Sequence, residues 1–297
     1  MKKLTCIFTL ILGLTQVIQS QNNVMKDENG ILWKITGNGL KKPSYLFGTF
    51  HLGVKPSNKI IDSCTKFIKQ VNQFYGEIDI TEAGQNPQQI QQMGMLDEGI
   101  KLADLINEDD YKLLKNFMKD SVAMDESVYA QMKPMMVSIL ISIAYMSKME
   151  GMDDINYSID KELQQIASEN KIEIKGFESV KNQGEIMFNK ITPIDQADYL
   201  IESIKTNQFS KESIQSMIAF YNQGNLNEIN KMTEQIMNTS FVDIFLTQRN
   251  EKWMQTIQPL LSENKKIFIA VGAGHLTGNK GLIKLLREKG YTVKSIL

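Results

Sequence analysis

The sequence predicts an α/β fold: a mixed, mostly parallel sheet built from strand–helix–strand units at both ends of the chain, with a large central helical insertion. Three observations point there. Short apolar runs of strand length, punctuated by Gly and Pro, gather in residues 31–80 and again in 266–296. In both regions a run leads into helical apolar spacing and then into another run, the pattern of a parallel crossover. Between them, over roughly 87–165 and again over roughly 193–261, apolar residues recur almost throughout at helical spacing.

Each element has its own signal. Residues 1–20 hold basic Lys2 and Lys3, an apolar stretch from Leu4 to Ile18, and small Ser20 before polar Gln21. That is the make-up of a secretory signal peptide, too short to span a bilayer comfortably, which takes about 20 apolar residues; an uncleaved N-terminal anchor is the alternative. The mature chain, 21–297, is then expected to be a single domain, secreted or periplasmic, with surface attachment left open. Cys64 would be its one cysteine, so no internal disulfide is available. Residues 31–37 and 44–49 read as strands, and Gly39 and Pro43 make them a hairpin. Asn58 to Gln70 brings Ile60, Ile61, Cys64, Phe67 and Ile68 to one helical face, so Cys64 is expected in the core. Gln73 to Ile80 reads as the next strand.

Asn107, followed by Glu108, Asp109 and Asp110, marks a helix start with acids where the helix dipole favours them. The Met-rich segment 132–149 is expected to be a buried helix, although methionine would also suit an adaptable groove. Asp160 to Asn170 is helical, and Lys171 to Glu178 alternates like a strand. Pro193 to Leu261 is a helical block broken near Gly224 and Asn238. The chain closes with a strand at 266–271, a helix at 281–289 and a strand at 291–296.

Several functions are excluded. The net charge is −1, and no Lys/Arg patch interleaves with aromatics, so nucleic acid is not an expected partner. No G-x-S-x-G elbow or HExxH helix occurs, which disfavours a serine triad and a zincin-type site. The histidines stand out instead. There are two in 297 residues. Both end the same phrase after an apolar run, Gly48-Thr49-Phe50-His51 and Gly272-Ala273-Gly274-His275, and both are followed by Leu. In open α/β sheets ligands bind beyond the carboxyl ends of strands.

Two further candidates fall at expected strand ends. Glu77 and Asp79, two apart, share one face of their strand; Glu178 follows the strand that closes near Gly176. Burying an unpaired carboxylate costs several kcal/mol, so such acids take a metal, a base or a proton as partner, unless their strand is an edge whose acids face water. Gly48 and Gly272 permit a sharp strand exit, and Gly274 opens the second turn, leaving room for a substrate backbone beside Thr49. Arg249 lies one helical turn from Phe245 and Trp253, where it can hold a carboxylate or a developing oxyanion, with Asn250 as a further substrate contact.

Two histidines with one or two carboxylates fit a divalent transition metal with open positions, which would polarise a carbonyl and lower the pKa of water from about 15.7 towards 7. His51, Glu77 and His275 are the expected ligands. Glu178 or Asp79 is expected as base or outer support, and Arg249 as the group that orients substrate.

These phrases, with Leu46-Phe47 before the first glycine, Ser179 and Gln183 after Glu178, and Leu276 after the second histidine, resemble the TraB/PrgY/GumN family, which includes the Tiki metalloproteases. The resemblance spans essentially the whole mature chain and looks most like the secreted bacterial GumN-type branch. It implies one active site made from both G-x-x-H motifs and the acids. For the Tiki branch it implies metal-dependent cleavage of a peptide or protein, with Mn²⁺ or Co²⁺ favoured and Zn²⁺ compatible. Distant kinship with erythromycin-esterase-like and ChaN-like proteins leaves two rivals open: a binding protein that sequesters a peptide or an iron-containing ligand, and a metal-free esterase-like hydrolase with a His base. Phe177 departs mildly from the family, which often has Leu there.

Overall fold

The computed structural model describes residues 29–51, 53–83, 87–149 and 157–297. The expected signal segment lies outside the described residues, as do Leu52 and residues 150–156 of the central insertion.

Six strands form one sheet: β1 (Leu32–Gly37), β2 (Ser44–Thr49), β3 (Gln73–Gly76), β4 (Glu173–Gly176), β5 (Ile267–Gly272) and β6 (Tyr291–Ser295), in the order β4-β3-β5-β2-β1-β6. β4, β3, β5 and β2 are mutually parallel, and β1 runs antiparallel to both its neighbours. The sheet is therefore mixed and mostly parallel, as the sequence indicates. β2 and β5 are buried along their whole length. A strand covered on both faces needs no polar alternation, which is why β5 is apolar throughout and β2 has polar side chains only at its ends, Ser44 and Thr49.

The crossovers are less local than the sequence pattern implies. β5, from the far end of the chain, lies between β2 and β3, and both β2 and β1 lie between β5 and β6. The two G-x-x-H strands thereby become neighbours, with Thr49 opposite Gly272. β3 and β4 are also shorter than expected and stop at glycines. A Cβ on Gly176 would lie 2.7 Å from the Asp79 amide nitrogen, so the chains leaving β3 and β4 run in contact. Glu77 and Asp79 thus come after the end of β3 and do not share a strand face.

The longer helices are α1 (Asn58–Ile68), α2 (Pro87–Met93), α3 (Glu108–Phe117), α4 (Pro134–Met146), α5 (Ile159–Glu169), α6 (Val180–Asn189), α7 (Pro193–Lys205), α8 (Lys211–Asn222), α9 (Leu226–Ile236), α10 (Gln248–Ser262) and α11 (Leu282–Glu288). Helices cover both faces of the sheet. Phe67 of α1 stacks on Tyr45 at 4.3 Å. On the opposite face, Arg287 of α11 lies over Trp33, the cross-strand partner of Leu46. α5 packs on α1, β3 and β4, burying Ile159, Leu163 and Ala167 in the sheet core. Cys64 is buried there as a free thiol, as expected.

The helical segments build two further apolar clusters, one around Leu114, Val137, Ile141 and Leu200, the other around Met135, Phe188 and Phe241. α4 contributes to both, so the Met-rich segment is core. No helix among the described residues is long and apolar enough to cross a membrane.

Candidate active site at the carboxyl ends of four parallel strands

Four parallel strands lie side by side, and the chain leaving each one carries a candidate residue. Glu178 comes after β4, Glu77 after β3, His275 after β5 and His51 after β2. Their side chains meet around one carboxylate. Glu77 Oε1 is 3.4 Å from His51 Nε2 and 3.7 Å from His275 Nε2, and it accepts a 2.8 Å bond from the Gly272 amide.

His275 is locked in one tautomer. The Asn250 amide nitrogen donates to two carbonyls, His275 O at 3.0 Å and Lys280 O at 2.8 Å. Its oxygen must therefore face the ring and accept from His275 Nδ1–H, at 2.7 Å. The Nε2 lone pair is left facing the cluster, where it accepts from Arg249 Nη1 at 3.0 Å. The ring also lies against Trp253, with centroids 4.4 Å apart. Burial pushes the His275 pKa down to about 3, against the pull of Glu77, so the ring is neutral at physiological pH.

His51 is held differently. Its side chain is 55% exposed, and its Nδ1 lies 3.0 Å from Asp160 Oδ2. The other Asp160 oxygen accepts from Thr49 Oγ1 at 2.9 Å. Desolvation opposes protonation of His51, but the carboxylates of Asp160 and Glu77 outweigh it and hold the pKa well above its usual value. For Glu77 burial works against charge, and the cationic neighbours His51 and Arg249 more than offset it, keeping the carboxyl well below its ordinary range.

Arg249 closes the cluster from α10. Its guanidinium bonds Glu77 Oε2 through Nη2, bonds Glu178 Oε1 through both Nη2 and Nε, and gives Nη1 to Phe245 O as well as to His275. Burial disfavours its charge, but the two carboxylates outweigh that and raise its pKa further. Gln183 of α6 joins the acids, donating to Glu77 Oε2 at 3.1 Å and to Glu178 Oε1 at 3.5 Å, while Asn182 donates to Glu178 Oε2 at 3.3 Å. A π turn, Asp243–Thr247, immediately precedes α10. Such wide turns are common at functional sites, and this one rotates Arg249, Asn250 and Trp253 towards the strand ends.

The remaining candidates have other partners. Asp79 does not join the cluster: its Oδ1 accepts from the Thr81 amide and hydroxyl at the start of the short turn Ile80–Ala83. Thr49 is buried against Asp160, Asn250 is buried behind His275, and Gly48 accepts from the Tyr221 hydroxyl. Those contacts support the site from behind. Gly274 has only Leu246 near its Cβ position. Two functional residues went unread in the sequence. Asp160, in the first turn of α5, was hidden because an acid there reads as a simple partner of the helix dipole. Gln164, one turn on, carried no signal in the sequence.

Gly272 is required by close approach: a Cβ there would lie 2.7 Å from His51 Nε2 and 3.3 Å from Glu77 Oε1. Gly272→Ala is expected to push the His51 ring aside and lower kcat/KM by about 100-fold, the usual cost of a 1 Å misplacement. The urea midpoint should hardly move, because the ring has solvent to move into. A variant with wild-type turnover would show that His51 is not held where the reaction occurs.

Among the described residues no group of three or more His, Cys, Asp or Glu side chains forms a ready metal cage. The donors still suit a divalent cation in kind. The two imidazole nitrogens stand 3.4 and 3.7 Å from Glu77 Oε1, and imidazole with carboxylate is a donor set that such an ion takes. Arg249 now supplies the positive charge there, engaging His275 Nε2 and the second oxygen of Glu77.

Known proteins resemble this chain over most of its length. The model of the TraB/PrgY/gumN family matches residues 31–295. The chain is 24% identical to the zebrafish (Danio rerio) protein named metalloprotease TIKI2, over 91% of this chain and 61% of that one. It is 25% identical to metalloprotease TIKI2 of Xenopus tropicalis, over 91% and 60%, and 22% identical to human (Homo sapiens) metalloprotease TIKI1, over 90% and 62%. It thus spans about three-fifths of the length of these relatives. No solved structure matches.

Proposed function

Because the chain belongs to the TraB/PrgY/gumN family, we propose that it is a metal-dependent hydrolase, and specifically a peptidase acting at the carboxyl ends of β2, β5, β3 and β4. The observation that carries this is the convergence of His51 Nε2 and His275 Nε2 on Glu77 Oε1. The names of the relatives support it. His51, His275 and Glu77 would hold Mn²⁺ or Co²⁺, with Zn²⁺ also compatible, and the ion would supply the Lewis acidity that peptide hydrolysis needs.

The protein's own groups do the rest. Asn250 keeps the His275 Nε2 lone pair aimed inwards. Arg249 pairs with Glu77 and Glu178 in a buried place and would be the cation available to a developing oxyanion. Glu178 is almost fully buried, and both its oxygens are engaged, so its role is to anchor Arg249 and not to accept a proton. Asp79, bonded to Thr81, is likewise no base in this scheme. Half-exposed His51 marks the open side, where an extended peptide or protein segment enters.

One observation favours a second reading. His51 with a carboxylate on Nδ1 has the form of a His–Asp pair, which can act as a general base without metal. The test begins with protein purified without a His-tag, analysed for metals and incubated with a peptide library plus Mn²⁺ or Co²⁺. Chelation is expected to abolish cleavage, and added Mn²⁺ or Co²⁺ to restore it. Cleavage that survives the chelator would replace this proposal by the His-base reading. Peptide that is bound but never cut would replace it by sequestration.

A further inference from the structure

α5 carries two polar side chains one turn apart on the face towards the strand ends, Asp160 and Gln164. Asp160 grips the carboxyl end of β2 and the turn beyond it, through Thr49 Oγ1 at 2.9 Å and His51 Nδ1 at 3.0 Å. Gln164 grips the chain leaving β3: its amide nitrogen donates to Ile78 O at 2.9 Å, and its oxygen accepts from the Ile80 amide at 3.0 Å. Gln164 is buried, and a Cβ on Gly76 would lie 2.7 Å from its Nε2, so the glycine makes room for it. The segment it clamps begins beside Glu77. α5 itself is fastened to the sheet by Ile159, Leu163 and Ala167, each fully buried.

We propose that α5 is a brace that sets the spacing of His51 and Glu77, with Asp160 as the positioning residue of His51 and Gln164 as the positioning residue of the Glu77 loop. The two residues come from strands that are not neighbours, because β5 lies between β2 and β3. No sheet hydrogen bond ties His51 to Glu77 directly, and α5 spans the gap. The ring is half-exposed, and its shortest polar contact is the Asp160 bond to Nδ1, at 3.0 Å against 3.4 Å from Nε2 to Glu77 Oε1. The consequence for metal affinity rests on the function proposed above; the positioning itself does not.

The histidine content makes the test direct. With ring-¹³C histidine the chain shows two imidazole signals, and His275, held by Asn250 and Trp253, serves as the internal control. In metal-free protein both rings are expected to be rigid. In Asp160→Ala the His51 ring should lose its order while His275 keeps it, and Asp160→Asn, which retains an acceptor, should restore it in part. In Gln164→Met the His51 ring should stay ordered while exchange of the Ile80 amide quickens about 10-fold, the effect of one lost hydrogen bond. Titration with MnCl₂ alone should show about 10- to 100-fold weaker binding in Asp160→Ala and ~10-fold in Gln164→Met, the usual range for groups that support metal ligands.

A His51 ring as ordered in either folded Asp160 variant as in the wild type would overturn the role of Asp160. An unchanged Ile80 exchange rate would overturn that of Gln164. If the wild type takes up no Mn²⁺, the metal reading fails, while ring order and amide exchange still decide the brace.

Discussion

Arg249→Met is expected to lower folding stability by about 3–5 kcal/mol, the cost of leaving buried carboxylates without their counter-charge. Arg249 is 10% exposed, and it is bonded to Glu77 and Glu178, which are more deeply buried still. Its loss also removes the platform it makes over Trp253 at 4.8 Å and the donor to His275 Nε2. Urea denaturation measures the stability change. Arg249→Lys should be intermediate, since an ammonium keeps the charge but cannot bond three groups in one plane. The double variant Arg249→Met with Glu178→Gln should lose less than the sum of the singles, because one stranded charge is removed with the other. A loss below about 1 kcal/mol in Arg249→Met would mean that the guanidinium is not what stabilises the buried acids.

His275→Ala and His51→Ala should both abolish cleavage and Mn²⁺ binding yet differ sharply in stability. His275 is buried against Trp253 with both ring nitrogens bonded, so its truncation is expected to cost about 3 kcal/mol, near that of a buried aromatic ring. His51 is more than half exposed, so its loss should cost clearly less than that of His275. Equal frames in the sequence thus hide unequal burial. Thermal melts and metal titration on the same preparations check this; wild-type Mn²⁺ affinity in both variants would remove the histidines from the metal site.

Much of the fold was legible because strand and helix periods are local. The apolar runs of β2 and β5 announced strands, and the breaks near Gly224 and Asn238 fall where α8 gives way to α9 and where the run leading to α10 begins. The length of β3 was misread because Glu77-Ile78-Asp79-Ile80 alternates like a strand, whereas the chain turns away after Gly76 to pass the segment leaving β4. The error matters, since it placed Asp79 beside Glu77 when its carboxylate caps the next turn. Thr49 and Asn250 were expected to contact substrate, whereas their side chains bond Asp160 and His275, partners that could not be named from spacing.

By itself the sequence determined the α/β class, the strand segments, and the residues from which a site would be made: two histidines in matching frames, the acids after two shorter strands, and an arginine among aromatics. Only the tertiary structure decided that β5 enters between β2 and β3, that Arg249 bridges both acids, and that Asp160 and Gln164 tie the two sides together. The physical reason is range. Periodicity records which face of one element is apolar, whereas sheet order and charge pairing join segments from opposite ends of the chain, and no local pattern encodes such contacts.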